Sequence, residues 1–222
     1  MNAPRTPLPP AEPEAAGLAA IGVRTLLERE LRRFLRVSGQ TIFSPLITTS
    51  LYFVVFGMSL GHRLAEVEGV PYINFIVPGL VSLGVVSNAL LNTSSSLFSM
   101  KMQGTIIDLL VTPLSYGEIL VALLLAAVVR AMLVGGLMWL VAGCFSGFQL
   151  AHPVFAFFSL VGIALAFAAV GLIVGIWADK FEQVNFVPAF VITPLTFLGG
   201  VFYSVNGIPS ALGVLTRANP VF

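Results

Sequence analysis

Charged side chains are scarce in this chain of 222 residues: Asp, Glu, Lys and Arg make up 9% of it, and hydrophobic residues make up 57%. An average soluble domain has about 25% charged residues, so this chain lacks the charge needed to cover a water-facing surface. Its formal net charge is +1, and no basic block indicates a nucleic-acid partner. The composition excludes an ordinary soluble domain and indicates a membrane protein.

Residues that carry chemistry are equally few. Cys144 is the only cysteine, which excludes an intrachain disulfide and a cysteine-based metal site. The two lysines are followed by Met102 and Phe181, so neither completes the G-x-x-x-x-G-K-[ST] loop that binds nucleotide phosphates. His62 and His152 belong to no catalytic or metal-binding motif. We therefore expect a chain that is not an enzyme, holds no metal and binds no cofactor itself.

Long hydrophobic stretches are what the chain has in abundance. A helix needs about 20 apolar residues to cross a bilayer, because hydrocarbon offers the backbone no hydrogen-bond partner. Five stretches reach this length: Thr41–Leu60, Tyr72–Phe98, Ile119–Phe145, Val154–Ala178 and Val184–Tyr203. The sequence therefore predicts an all-α, polytopic membrane protein.

The positive charges predict the orientation of these spans. Six arginines precede the first span, and the later connections carry at most one Lys or Arg each. By the positive-inside rule, the N-terminus is cytoplasmic, and so are the connections that contain Lys101 and Lys180. The connections at 61–71 and around Ser146–His152 then lie on the outer face.

Two segments precede the first span. Residues 1–20 are rich in proline and are predicted to be a disordered tail. Residues 21–38 are predicted to form an amphipathic helix on the membrane surface, with one apolar arc and one basic arc. The apolar arc consists of Val23, Leu27, Leu31 and Phe34. The pattern leaves open whether this helix only fixes the topology or also docks a cytoplasmic partner.

The cytoplasmic connection from Lys101 to Pro113 is too apolar for a solvated loop, and its isoleucines and leucines predict a short helix that packs on something. Ser115 and Glu118 then have the spacing of a capping box, in which the two residues satisfy the first free N–H groups of a helix. The third span should begin there.

Polar residues inside the spans form two candidate sites. Asn88, Asn92 and Ser95 share one face of the second span, and such a face should meet protein or water because an amide facing lipid is costly. Arg130 lies about 20 Å from either end of the third span, given the rise of an α-helix. All four residues could line a translocation path. Alternatively, the polar face of the second span bonds a neighbouring helix, and Arg130 reaches the inner headgroups.

Several sequence motifs resemble those of ABC transporter permeases of the type-2 exporter family, in particular bacterial inner-membrane permeases. They are Phe197-Leu-Gly-Gly-Val-Phe-Tyr-Ser-Val-Asn-Gly-Ile-Pro209, Asn219-Pro220, Asp108-Leu-Leu-Val-Thr-Pro113 and Val187-Pro-Ala-Phe-Val-Ile-Thr-Pro-Leu195. The resemblance covers roughly residues 24–222, and residues 39–222 would form the transmembrane domain. It implies a permease that pairs with a separate cytoplasmic ATPase subunit, which binds the ATP, and with a second permease copy. Transport would proceed by alternating access.

The resemblance also assigns roles to two segments. A coupling helix would contact the ATPase through Met102, Thr105, Ile106, Asp108, Leu109 and Leu110. A re-entrant extracellular gate at 199–218 would contain Gly199, Gly200, Phe202, Tyr203 and Pro209. The family has six spans, so a sixth is expected after Asn219-Pro220. The substrate stays open, and the alternative is an ATP-independent channel or secondary transporter, which would be expected to carry ionisable groups at mid-membrane on several helices.

Overall fold

The computed structural model of the chain describes residues 12–36, 38–58, 66–67, 69–112, 114–147, 152–199 and 201. Its helices are α1 (Glu12–Arg36), α2 (Ser38–Tyr52), α3 (Tyr72–Met102), α4 (Thr105–Val111), α5 (Tyr116–Ser146), α6 (Pro153–Trp177), α7 (Phe181–Val187) and α8 (Thr193–Leu198). A π-helical segment, Phe53–Met58, extends α2, and another, Pro188–Ile192, joins α7 to α8. Two short antiparallel strands, β1 (Glu66–Val67) and β2 (Val70–Pro71), precede α3.

Three helices have the length and composition of membrane spans. They are α3 and α5, with 31 residues each, and α6, with 25 residues. The predicted all-α, polytopic membrane fold is confirmed. The shorter apolar helices α2 and α7–α8 coincide with the first and fifth predicted spans, and the count of five spans stays a prediction.

The helices pack around α3 in alternating directions. Gly84 of α3 lies against Met138 of α5, and further along α3 Asn92 bonds Arg130, so these two helices are antiparallel. Gly171 of α6 meets Leu90 of α3, and the residues that follow on both helices meet in the same order, so α3 and α6 are parallel. These directions are those expected of consecutive crossings.

The N-terminal helix is longer than predicted. It begins at Glu12 rather than at residue 21, because the alanines and glutamates that follow favour a helix and Pro13 lies in the first turn, where proline is tolerated. Residues 1–11 lie outside the described residues. From Gly22, which lies against Leu114, α1 packs along the N-terminal half of α5 as far as Arg130. Its position relative to the membrane surface stays a prediction.

The start of α5 is as predicted. The Ser115 hydroxyl accepts a hydrogen bond from the Glu118 backbone N–H at 3.3 Å, and the Glu118 carboxylate accepts one from the Ser115 backbone N–H at 2.7 Å. This complete capping box ends the cytoplasmic connection and begins the helix at Tyr116.

The close approach of α6 to α3 depends on two glycines, and it leads to a testable prediction. A Cβ atom at Gly171 would lie 2.6 Å from the Leu90 carbonyl oxygen, whereas a Cβ atom at Gly162 would meet nothing within 4 Å. We expect Gly171→Ala to lower the free energy of unfolding by about 1–3 kcal/mol, because the backbones must separate. Gly162→Ala, on the same helix, should be neutral or stabilising by up to about 1 kcal/mol through helix propensity. Denaturant titration in detergent micelles measures both, and equal effects of the two substitutions would contradict the prediction.

Candidate functional site

The short helix α4, in the connection predicted to be cytoplasmic, presents an apolar surface at one end of the helix bundle. Gly104 precedes it with a φ of 73°, a left-handed conformation that lets the chain turn sharply after α3. The Leu109 side chain is buried and holds the helix in place. Ile107, Leu110 and Val111 are exposed by 63%, 55% and 79% on the other side. The segment is therefore both anchored and open to a partner.

The predicted coupling residues divide between these two sides. Met102, Asp108 and Leu110 are exposed, and Leu109 is buried in a cluster that includes Met100 and Ile119. The partly buried residues are Thr105 and Ile106. Prediction from the sequence missed Ile107 and Val111, although their spacing to Leu110 is that of one helix face. The role of this surface stays a proposal.

A second group of residues forms a buried polar cluster between α1, α3 and α5. Glu30 of α1 is 2% exposed, and its carboxylate accepts a hydrogen bond from the Ser96 hydroxyl of α3 at 2.7 Å. The Arg33 guanidinium lies 3.3 Å from the same carboxylate. A charge buried to this extent is tolerated only when it is paired and hydrogen-bonded, which both partners provide.

Arg130 completes this cluster from α5. It is 4% exposed, donates a hydrogen bond to the Asn92 side-chain oxygen and lies over the Phe34 ring, 4.9 Å from its centroid. Its Nε atom is buried without a hydrogen-bond partner among the described residues. Next to it is a void of about 10 Å³, lined also by Glu30 and Ser96. A void of this size and polarity is close to the smallest that holds a water molecule.

Only part of the predicted polar stripe on α3, which consists of Asn88, Asn92 and Ser95, belongs to this cluster. The Asn92 side-chain amide donates to the Asn88 backbone carbonyl at 2.9 Å and to the Asn88 side chain. Ser95 donates to the Asn92 backbone carbonyl at 3.3 Å. The structure thus brings Arg130, Asn92 and Asn88 together. Glu30 was missed, although it is the acidic residue between the apolar positions Leu26 and Phe34 on one helix face.

The polar cluster lies well inside α3 and α5, away from the ends of both helices. At 1.5 Å per residue, α3 and α5 are each about 46 Å long, against a hydrocarbon thickness of about 30 Å. Asn74 and Ser146, near the outer ends of both helices, line one cleft of about 490 Å³. Counted from these ends, Asn92 and Arg130 lie roughly 24–30 Å inward. Arg130 is also about 21 Å from the first residue of α5, so whether it lies at mid-membrane or near the inner headgroups stays a prediction.

The second cytoplasmic connection is fixed by Lys101 at the end of α3. Its ammonium group donates to the backbone carbonyls of Ile176 and Ala178 at 3.2 and 3.0 Å, and to the Asp179 carboxylate at 2.8 Å. This bond and the positive charge of Lys101 hold the pKa of Asp179 below its usual value. The ion pair therefore persists at neutral pH and is lost only when the pH falls through that lowered pKa. It ties α3 to the end of α6.

The predicted extracellular gate lies mostly outside the described residues, which include Gly199 but not Gly200, Phe202, Tyr203 or Pro209. Val201 is buried and lies against Gly79, near the outer end of α3. The assignment of a re-entrant gate stays a prediction.

Comparison with known proteins agrees with the resemblance. The ABC-2 type transporter family matches residues 22–222. The inner membrane transport permease YadH of Escherichia coli K12 is 38% identical over 201 residues, which cover 90% of this chain and 78% of YadH. Nodulation protein J of Rhizobium meliloti strain 1021 is 29% identical over 187 residues, which cover 84% of this chain and 71% of that protein. No solved structure matches.

The predicted family and the predicted location, a multi-pass protein of the inner membrane, are both confirmed by these matches and by the apolar helices. This chain belongs to the ABC-2 type transporter family and is the membrane permease subunit of an ABC transporter.

Proposed function

We propose that this permease moves a substrate out across the inner membrane by alternating access, driven by ATP that binds to a separate cytoplasmic ATPase subunit. The chain itself holds no cofactor and performs no chemistry on the substrate. Its N-terminus faces the cytoplasm, and a second copy of the chain completes the translocation path. The exposed apolar surface of α4 carries this proposal.

The apolar character and the position of the α4 surface favour an ATPase as its partner. Apolar side chains exposed to water contribute about 25 cal/mol per Å² when they become buried, so Ile107, Leu110 and Val111 favour a partner. The positive-inside rule supports a cytoplasmic position for α4, because Lys101 lies four residues before its first residue, Thr105. A cytoplasmic protein is therefore the partner that this surface can reach.

The buried contacts of α4 support transmission of movement into the membrane. Leu109 packs with Met100 of α3, Ile119 of α5 and Leu26 of α1 in one cluster. A displacement of α4 by the ATPase would therefore act on three helices together. Further along the same helices, Glu30, Asn92 and Arg130 form the polar cluster, which we assign to a junction between helices instead of the lining of the path.

The translocation path and the outer gate follow from the same arrangement. We place the path between two permease copies, because Arg130 is buried within one copy against Phe34. Gly199 and the residues after it would close the path on the outer side. Val201, which lies against Gly79 near the outer end of α3, supports that placement.

Co-purification with the ATPase tests the proposed function. The tagged permease is co-expressed with a candidate ABC ATPase subunit from the same genome, and the ATPase recovered with the permease is quantified. We expect Ile107→Glu/Leu110→Glu to reduce this recovery at least tenfold, because two charges would be buried against an apolar surface. Tyr116→Glu is the matched control, since Tyr116 is also exposed and a glutamate in the first turn of α5 favours the helix.

The outcomes separate the two candidate functions. Unchanged recovery of the ATPase with the α4 variant would contradict the proposed docking. Substrate movement that continues in inverted vesicles without ATP would instead favour a channel or secondary transporter.

A further inference from the structure

The side of α1 carries a groove of about 560 Å³ that is strongly basic. It is lined by Thr25, Glu28, Arg29, Arg32, Arg33 and Arg36. Four guanidinium groups thus share this surface with one carboxylate. That carboxylate, of Glu28, is already paired with Arg24 at 3.0 Å and lies 3.9 Å from Arg32. The groove therefore has unbalanced positive charge.

Two of the arginines are available to a ligand. Arg33 is paired with the buried Glu30 carboxylate, whereas Arg29 and Arg36 have no acidic partner among the described residues. Both are exposed. Four like charges along two turns of a helix repel one another, so an anion that binds among them would relieve this repulsion.

The level of the groove identifies which anion it meets. Gly22 lies against Leu114 and Phe34 against Arg130, so α1 runs toward the membrane beside α5. The first predicted span begins at Thr41, five residues after Arg36, so we place Arg36 near the inner boundary of the hydrocarbon. Arg29 and Arg36 are seven positions apart, a distance of about 10 Å along the helix axis. This distance is close to the thickness of a headgroup layer, which is roughly 5–8 Å.

The helix that follows offers a surface for lipid tails. The first turns of α2 come directly after Arg36, and its exposed residues include an apolar row at helical spacing: Phe43, Ile47 and Leu51. A lipid whose phosphate lies at Arg36 would extend its acyl chains toward the depth of this row. Charge and apolar surface are therefore arranged in the order in which a phospholipid presents them.

We propose that this groove binds the phosphate headgroup of an anionic phospholipid of the inner leaflet. Arginine suits this role because its guanidinium group forms two parallel hydrogen bonds to a phosphate, and anionic lipids concentrate at the cytoplasmic surface. The proposal depends on the inward orientation of the N-terminus but not on export or on the ATPase. It gives α1 a specific ligand in addition to its packing against α5.

Native mass spectrometry of the purified full chain in detergent tests this site, with phosphatidylglycerol and phosphatidylcholine added separately. We expect phosphatidylglycerol to bind preferentially. Arg29→Gln/Arg36→Gln should weaken that binding about 30-fold, from a contribution of about 1 kcal/mol per arginine. Lys180→Gln removes a positive charge outside the groove and should change binding by less than about twofold.

Three outcomes would overturn the proposal. Equal binding of the two lipids would show that the groove does not distinguish an anionic headgroup from a zwitterionic one. Displacement of phosphatidylglycerol by millimolar inorganic phosphate would assign the groove to a soluble phosphate. Unchanged lipid binding by Arg29→Gln/Arg36→Gln, with loss of the co-purified ATPase, would assign it to an acidic protein surface. Retention of ATPase recovery together with loss of lipid binding would support the lipid site independently of the proposed export function.

Discussion

Glu30→Gln is expected to destabilise this permease by about 3 kcal/mol, because it leaves buried cations without their counter-charge. The Glu30 carboxylate lies 3.3 Å from the Arg33 guanidinium. The charges of Glu30 and Arg33 both act on Arg130. Glutamine keeps the size of the side chain and an oxygen that accepts from Ser96. The loss therefore measures the missing negative charge and not a change in packing.

Two comparisons make this prediction specific. Glu28→Gln is the matched control on the same helix: its carboxylate is half exposed and paired with Arg24, so we expect a loss below about 1 kcal/mol. Arg130→Gln should cost less than Glu30→Gln, since Glu30 keeps its pairing with Arg33 and a buried Nε atom is removed.

The double variant then tests whether Glu30 and Arg130 act on each other. Glu30→Gln/Arg130→Gln should lose less stability than the sum of the two single variants, by about 1–2 kcal/mol. Denaturant titration in detergent micelles measures the wild-type protein and the four variants. Strictly additive losses, or equal losses in Glu30→Gln and Glu28→Gln, would contradict the assignment of a buried charged cluster.

The sequence was sufficient for those features that depend on local patterns. Long apolar stretches predicted α3, α5 and α6, because a membrane-spanning helix is defined by length and composition alone. The capping box at Ser115 and Glu118 was equally predictable, since its two hydrogen bonds join residues three positions apart. Such features need no knowledge of how the helices pack.

The partners of Arg130 were not predictable for the opposite reason. Phe34 and Asn92 are distant in sequence, and only the packing of α1 and α3 against α5 brings them to this side chain. Its depth in the membrane was not predictable either, because a helix longer than the hydrocarbon thickness can extend beyond it at either end. The basic arc of α1 was visible in the sequence, but its level beside α5 was not.

The last expected result concerns the choice between a translocation path and a junction. Asn92→Leu removes the side-chain oxygen that accepts from the Arg130 guanidinium and leaves a buried cation less well bonded. We expect it to lower the free energy of unfolding by about 2 kcal/mol, as for other lost hydrogen bonds to charged groups. Asn92→Leu/Arg130→Met should recover part of this loss, because it also removes the buried cation that lost its acceptor.

Transport by the double variant then decides between the two roles, when it is measured as ATP-dependent substrate movement into inverted vesicles per folded protein. A junction needs only contact between α3 and α5, which the apolar pair preserves, so transport should stay within about threefold of the wild-type rate. A path lined by polar groups would instead be blocked in a variant that folds normally. Ser95→Ala is the control for the stripe on α3: its hydroxyl bonds only the Asn92 backbone carbonyl, so a junction predicts no change, whereas a polar path predicts a slower rate. Loss of transport in both variants at normal stability would therefore assign this face of α3 to the substrate.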